Sequence, residues 1–216
     1  NAFLESATIF FASTHKSYFT YEDINQAVFS SGVIRVKENS GIYTVHDNVL
    51  RMNFGGGLGS DNFIYISSLF ALSVPSDGDL SILAHNNFLN ENSNNSWNKK
   101  ELLDSDWYHI YDDSVSPNES VKPSMVKISF QNTNAHFRKN NQIIDGQWSI
   151  NKEYLTLKTL NSNQAPIQLI KSLSDEKIIL VKDANSMLPS LFVKDKALAE
   201  FITQYWQNLL KEIMTK

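Results

Sequence analysis

From Trp107 onward short apolar segments alternate with polar turns, and this rhythm limits the possible folds more than any other feature of the chain. Residues 107–111, 125–132, 135–139, 147–150, 154–160, 167–172 and 177–182 are each rich in β-branched or aromatic residues. They recur at roughly eight- to twelve-residue intervals, the spacing of an antiparallel meander or barrel. Asn132-Thr133-Asn134, Asp145-Gly146, Asn151-Lys152-Glu153 and Ser174-Asp175-Glu176 supply the turns. The segment ends in residues 195–214, where Leu198, Phe201, Ile202, Tyr205, Trp206, Leu209 and Ile213 fall on one broad helical face. The expectation for this half is an antiparallel β-meander or partial barrel closed by an amphipathic C-terminal helix.

The first half reads as a mixture of helix and strand. Phe3, Ala7, Phe10 and Phe11 recur at helical spacing and predict a helix over 4–16. Thr20-Tyr21-Glu22-Asp23 resembles a capped helix start, followed by Ile24, Ala27 and Val28 on one face and a stop at Gly32. Strands are predicted over 33–37, 41–46, 49–54 and 63–74, and a further helix over 77–90, with Leu80, Leu83, Ala84 and Phe88 inward. Residues 91–100 are Asn, Ser and Lys around a single Trp97, which marks a linker. The whole is therefore expected to be α+β, with an N-terminal part over 1–100 and the meander with its helix over 101–216.

Composition narrows the function. Lys plus Arg number 19 against 23 Asp plus Glu, a net charge of -4, which lacks the basic excess of a nucleic-acid binder. With no cysteine there is neither a disulfide nor thiol chemistry nor a Cys-ligated zinc. No apolar run approaches the length of a membrane-spanning helix. The start Asn1-Ala2-Phe3, with the first methionine at Met52, reads as the scar of a cleaved tag, so a signal peptide or a single membrane anchor is expected to precede the native domain. Asparagine clusters such as Asn92-Ser93-Asn94-Asn95 suit an AT-rich bacterial genome. Together these place the domain in the periplasm or elsewhere outside the cytoplasm.

The residues that could carry chemistry are scattered. His15, His46, His85, His109 and His136 include no pair at three- or four-residue spacing, so no local metal motif exists. His109 sits with Trp107 and Tyr111 on one face of a strand, which fits a half-buried histidine among aromatic neighbours; paired with Asp106 or Asp112 it would be the one candidate for catalysis. Asp104, Asp106, Asp112 and Asp113 lack the glycine and regular spacing of a calcium loop and read as solvated strand ends. Gly55-Gly56-Gly57-Leu58-Gly59 has no Lys-Ser/Thr ending and precedes a strand, so it is expected to be a hairpin connection rather than a phosphate loop. No nucleophile elbow, zincin or dinucleotide-binding motif is present. The chain is accordingly expected to have no catalytic, cofactor or metal site.

Gly146-Gln147-Trp148-Ser149-Ile150, then Tyr154-Leu155-Thr156-Leu157, residues 167–173 and Ile178-Ile179-Leu180 resemble the later strands of small bacterial lipocalin-like domains, a likeness that spans about residues 107–182. The resemblance implies a carrier of a small hydrophobic ligand, with Trp107, Phe130, Phe137, Trp148 and Leu157 lining the cavity. The residues themselves favour a non-enzymatic protein that binds another exported protein, as a secretion chaperone, inhibitor or immunity partner does. Aromatic side chains are abundant, with 13 Phe, 8 Tyr and 4 Trp, and Trp and Tyr supply much of the energy at interfaces. Trp97 in the polar linker and Trp206 beside the helical stripe are hardest to place in a core and are the expected partner-binding residues.

Overall fold

The computed structural model describes residues 9–14, 21–30, 33–36, 39–46, 49–54, 60–66, 70–72, 80–84, 96–113, 122–151, 153–160, 165–174, 176–185 and 189–214. The chain divides into two units, 1–93 and 94–216, so the boundary falls inside the expected polar linker. In each unit eight strands pair antiparallel in chain order and the last closes on the first. Closure leaves no strand edge unpaired, which is how turn-rich all-β chains avoid edge-to-edge association.

The first unit consists of β1 (Ile9–Thr14), β2 (Tyr21–Ser30), β3 (Val33–Val36), β4 (Asn39–His46), β5 (Val49–Phe54), β6 (Ser60–Tyr65), β7 (Phe70–Leu72) and β8 (Leu80–Ala84). Strands β3, β4 and β5 lie where their β-branched residues predicted. The helices expected over 4–16, after Thr20 and over 77–90 are corrected to strands β1, β2 and β8. Short apolar runs satisfy both periods: Leu80, Ile82 and Ala84 alternate as well as Leu80, Leu83 and Ala84 follow a helix. What decides is pairing, because β1 bonds to β2 on one side and β8 on the other, and without both the barrel would stay open. The single strand expected over 63–74 is two, β6 and β7, paired through Ile64↔Leu72. Register places Tyr43 opposite Met52 and Leu50 opposite Phe63, and Leu50, Met52 and Phe63 are buried. Gly55–Gly59, residues 1–8 and 85–95, His15 and His85 lie outside the described residues.

The second unit carries α1 (Lys99–Leu103), β9 (Asp106–Asp112), β10 (Pro123–Gln131), β11 (Asn134–Lys139), β12 (Gln142–Asn151), β13 (Tyr154–Thr159), β14 (Ile167–Ser174), β15 (Ile178–Asp183), β16 (Pro189–Val193) and α2 (Lys196–Met214). All seven strands expected after residue 106 are present. An eighth, β16, was not foreseen; it opens on Pro189, which is tolerated at the first position of a strand, and it bonds to both β15 and β9 to close the ring. Thus the expected partial barrel is a closed one. The turn expected at Asp145-Gly146 is also corrected, since both residues lie within β12. The turn falls at Asn140-Asn141, whose φ angles of 47° and 66° are those of the two-residue hairpin that matches strand twist.

Helix α2 begins where expected. Asp195 Oδ1 accepts the Leu198 N–H at 2.8 Å, satisfying one of the free donors of the first turn. Ala199, Ile202, Thr203 and Trp206 form its buried stripe, and the helix packs on the outside of β9, β10 and β16. It covers the outward Leu191 and Val193 of β16, whose Phe192 faces inward; β15 is also buried on both faces, with Ile178 and Leu180 outward and Ile179 and Val181 inward.

Candidate functional site

Side chains alternate along a strand, so register decides which residues meet inside the second barrel. Trp107 lies opposite Ile128 and Ile128 opposite Phe137. Trp148 lies opposite Leu157, Leu155 opposite Leu169, and Phe192 opposite both Ile179 and His109. The apolar members of this ring, with Phe130, Ala135 and Val181, form one buried cluster. Trp107, Phe130, Phe137, Trp148 and Leu157, the five residues implied by the lipocalin-like resemblance, all belong to it, and none is more than 9% exposed. The fold therefore brings together side chains that lie up to 50 positions apart in sequence.

One end of this interior is stoppered. There β10, β12, β14 and β16 finish, and α1 packs on β9 and β10. Asn98 caps the helix by accepting the Lys100 N–H at 2.9 Å. Leu102 is fully buried in the cluster. Trp97 Nε1 donates to the Leu169 carbonyl at 3.1 Å, and its ring meets Phe192 edge-on at 6.1 Å. Lys171, which faces inward here, reaches Glu101 at 3.2 Å, the two side chains being 8% and 19% exposed.

The other end is different. Ile144, opposite Phe137, and Ile167, opposite Leu157, belong to the inward-facing set, yet they are 43% and 46% exposed. Both stand at the rim where β12 and β14 begin. Across the rim Lys139 Nζ donates to Asp113 Oδ2 at 2.7 Å and to Tyr111 Oη at 3.2 Å. Burial pushes the Lys139 ammonium down, but these bonds outweigh it and hold the group above its ordinary range. Below Tyr111 the rings of His109 and Phe192 continue a stack, at 5.0 Å and then 4.6 Å between centroids. His109 Nε2 lies 2.9 Å from Ser190 Oγ. Burial pushes the imidazole down to about 3, and the opposing charge of Asp183 is too weak to offset it, because the charged form has lost its water.

Other residues singled out by sequence do not join this site. Asp106 and Asp112 have the opposite parity to His109 along β9, so neither can orient its ring. Asp106 is bonded to Lys127 and Ser129, Asp112 accepts the Lys122 N–H, and Asp113 holds Lys139. The carboxylates thus serve separate local pairs, and among the described residues no three His, Asp or Glu side chains converge as metal ligands. Trp97 and Trp206 are both buried, at 6% and 2% exposure. The expectation that they stand out for a partner is corrected: one plugs the barrel end and the other seats α2 on the sheet. A tryptophan in a polar segment can still be the one residue that segment buries. Ser190, Lys139 and the mouth isoleucines were missed, although strand parity counted from Trp107 would have placed Tyr111 and Asp113 on the inward side.

The tryptophans differ in one further respect. Trp97 has its carbonyl acceptor, whereas the buried indole N–H groups of Trp107, Trp148 and Trp206 have no hydrogen-bond partner. Trp107 and Trp148 lie in the barrel cluster, and Trp206 lies on the buried face of α2. Among the described residues no helix is long and apolar enough to cross a membrane. The chain matches no model of a known protein family, and a search of curated proteins gave no match either.

Proposed function

We propose that the second unit binds a small hydrophobic molecule and carries it without converting it. The observation behind this reading is the inward-facing row of the barrel, which runs from an end stoppered by Trp97 and Leu102 to an end where Ile144 and Ile167 stand exposed. Eight-stranded barrels are wide enough to hold one small ligand, and ligand sites are lined by apolar and aromatic side chains with a few polar groups. Carriage is favoured over catalysis by the state of the His109–Ser190 pair. A serine nucleophile needs a base that takes its proton near neutral pH, and an imidazole held down to about 3 does not. Titration of the intact chain with an apolar dye or a panel of lipids, followed by tryptophan fluorescence, should saturate at one site per chain. Ile144→Arg at the mouth should weaken that binding, while a response that rises linearly without saturation would sink the reading.

A partner protein is the second reading, and its support now lies in the first unit. Val33 and Ile42 are 37% and 62% exposed on the outside of β3 and β4, around a shallow hollow completed by Ser40, Gly41 and Asn53. On this reading an exported partner co-purifies with the protein and is lost on Ile42→Glu, with the melting temperature unchanged. Retention of the partner by that variant would count against this surface.

A further inference from the structure

We infer that the ligand of the second barrel is an uncharged apolar molecule bearing carbonyl-type oxygens, which accept hydrogen bonds from the indole N–H groups of Trp107 and Trp148. The inference rests on the carrier reading above and sharpens it to a chemical class.

Two observations on the same cluster carry it. First, Trp107 is fully buried and Trp148 is 5% exposed, and the indole nitrogen of each has no acceptor within reach. A buried donor left unpaired is unfavourable by an amount comparable to a lost hydrogen bond. Elsewhere in the same cluster the pairing is made, since Trp97 donates to the Leu169 carbonyl at 3.1 Å. An indole is a donor only, so whatever satisfies Trp107 and Trp148 must bring an acceptor. Their neighbours within the cluster are apolar and aromatic, with Phe130 edge-on to Trp148 at 5.1 Å and Phe192 edge-on to Trp107 at 6.2 Å.

Second, the cations near these tryptophans do not stand in line with the N–H groups: Lys194 and Lys99 lie over the indole faces of Trp107 and Trp148, at 5.0 Å and 5.7 Å from the ring centroids, whereas an indole N–H points along the ring plane. Lys171 at the stoppered end is paired with Glu101, and Lys139 at the mouth is paired with Asp113 and bonded to Tyr111. A carboxylate accepting from the in-plane N–H groups would have to draw one of these lysines away from its partner or ring face, or give up its water unpaired in an apolar site, which is strongly unfavourable. A ketone, quinone or ester oxygen needs only the two N–H groups. One such oxygen has two lone pairs and could accept from both, and a molecule with two oxygens could serve them separately.

The test compares three probes of similar shape on the intact chain: menadione, which has carbonyl oxygens; methylnaphthalene, which has none; and naphthoate, which is anionic. Menadione is usable here because the chain has no cysteine for it to alkylate. It should bind most tightly, and Trp148→Phe and Trp107→Phe, which keep a ring and remove the donor, should each weaken it about three- to tenfold while leaving methylnaphthalene unchanged. Isotope-labelled indole signals give a readout that needs no variant. With menadione the Trp107 and Trp148 N–H resonances should move downfield, while those of Trp97, already bonded, and Trp206, on the buried face of α2, stay in place.

The outcomes separate the two claims. If all three probes bind alike, or naphthoate binds best, or the indole signals stay where they were while probes bind, the barrel is a carrier but the carbonyl assignment is overturned. If no probe saturates, the carrier reading itself fails. Should Trp107→Phe not fold, Trp148→Phe and the labelled indole signals decide the question.

Discussion

At Gly146 an added methyl group would stand 2.5 Å from Phe137 Cε2 and 2.6 Å from the Lys158 carbonyl oxygen. The ring is locked in the barrel cluster and the carbonyl belongs to a paired strand, so neither can step aside. Gly146→Ala should therefore destabilise the unit by about 1–3 kcal/mol, read as a lower urea midpoint at unchanged slope. From sequence this glycine looked like half of an Asp-Gly turn. Its real constraint is a neighbour on the adjacent strand, which no local pattern displays. His109 is the second residue whose role depends on surroundings. The unfolded imidazole binds a proton near its ordinary 6.5, whereas the folded one resists down to about 3. Above the unfolded value neither state is charged and the group has no effect on stability. As pH falls through that value only the unfolded state gains the proton, so stability should drop by up to about 1.4 kcal/mol per pH unit until about pH 3. In His109→Gln, which can keep a bond to Ser190, melting temperature measured across this range should lose that part of its acid slope.

Among the elements, α1 is short but holds the stoppered end through buried contacts. Lys171 and Glu101 illustrate this, since the lysine side chain is only 8% exposed. Glu101→Gln strands a buried ammonium and should destabilise the unit by about 3–5 kcal/mol, whereas the double change with Lys171→Met should recover most or all of the loss. A double-mutant cycle by chemical denaturation checks both. If Glu101→Gln alone is neutral, Lys171 has reached water and α1 does not seal the end. Secondary structure was legible in proportion to how local its causes were. Helix α2 has a long stripe and an Asp195 cap, and β9 to β15 have turns on either side. Strands β1, β2 and β8 lack such signals, and their apolar residues fit either period. They are strands because two neighbours supply hydrogen bonds to each.

At the scale of the whole molecule, the two units each complete their own ring of strands. Residues 94–216 expressed alone should therefore fold cooperatively, with a β-type circular dichroism spectrum and a single urea transition; a spectrum without strand signal would show that the unit depends on the rest of the chain. The sequence by itself determined the turn rhythm, the polar linker over 91–100 and the amphipathic helix. These follow from periods of two and 3.6 residues and from turn chemistry, all of which act over a few neighbours. Only the tertiary structure decided that the meander closes, because closure is a bond between β9 and β16, far apart in the chain. The same distance explains why Trp97 and Trp206 are buried rather than offered to a partner, and why the inward-facing row is buried under α1 at one end and exposed at Ile144 and Ile167 at the other. Burial is a property of what lies across the sheet, and sequence order does not record it.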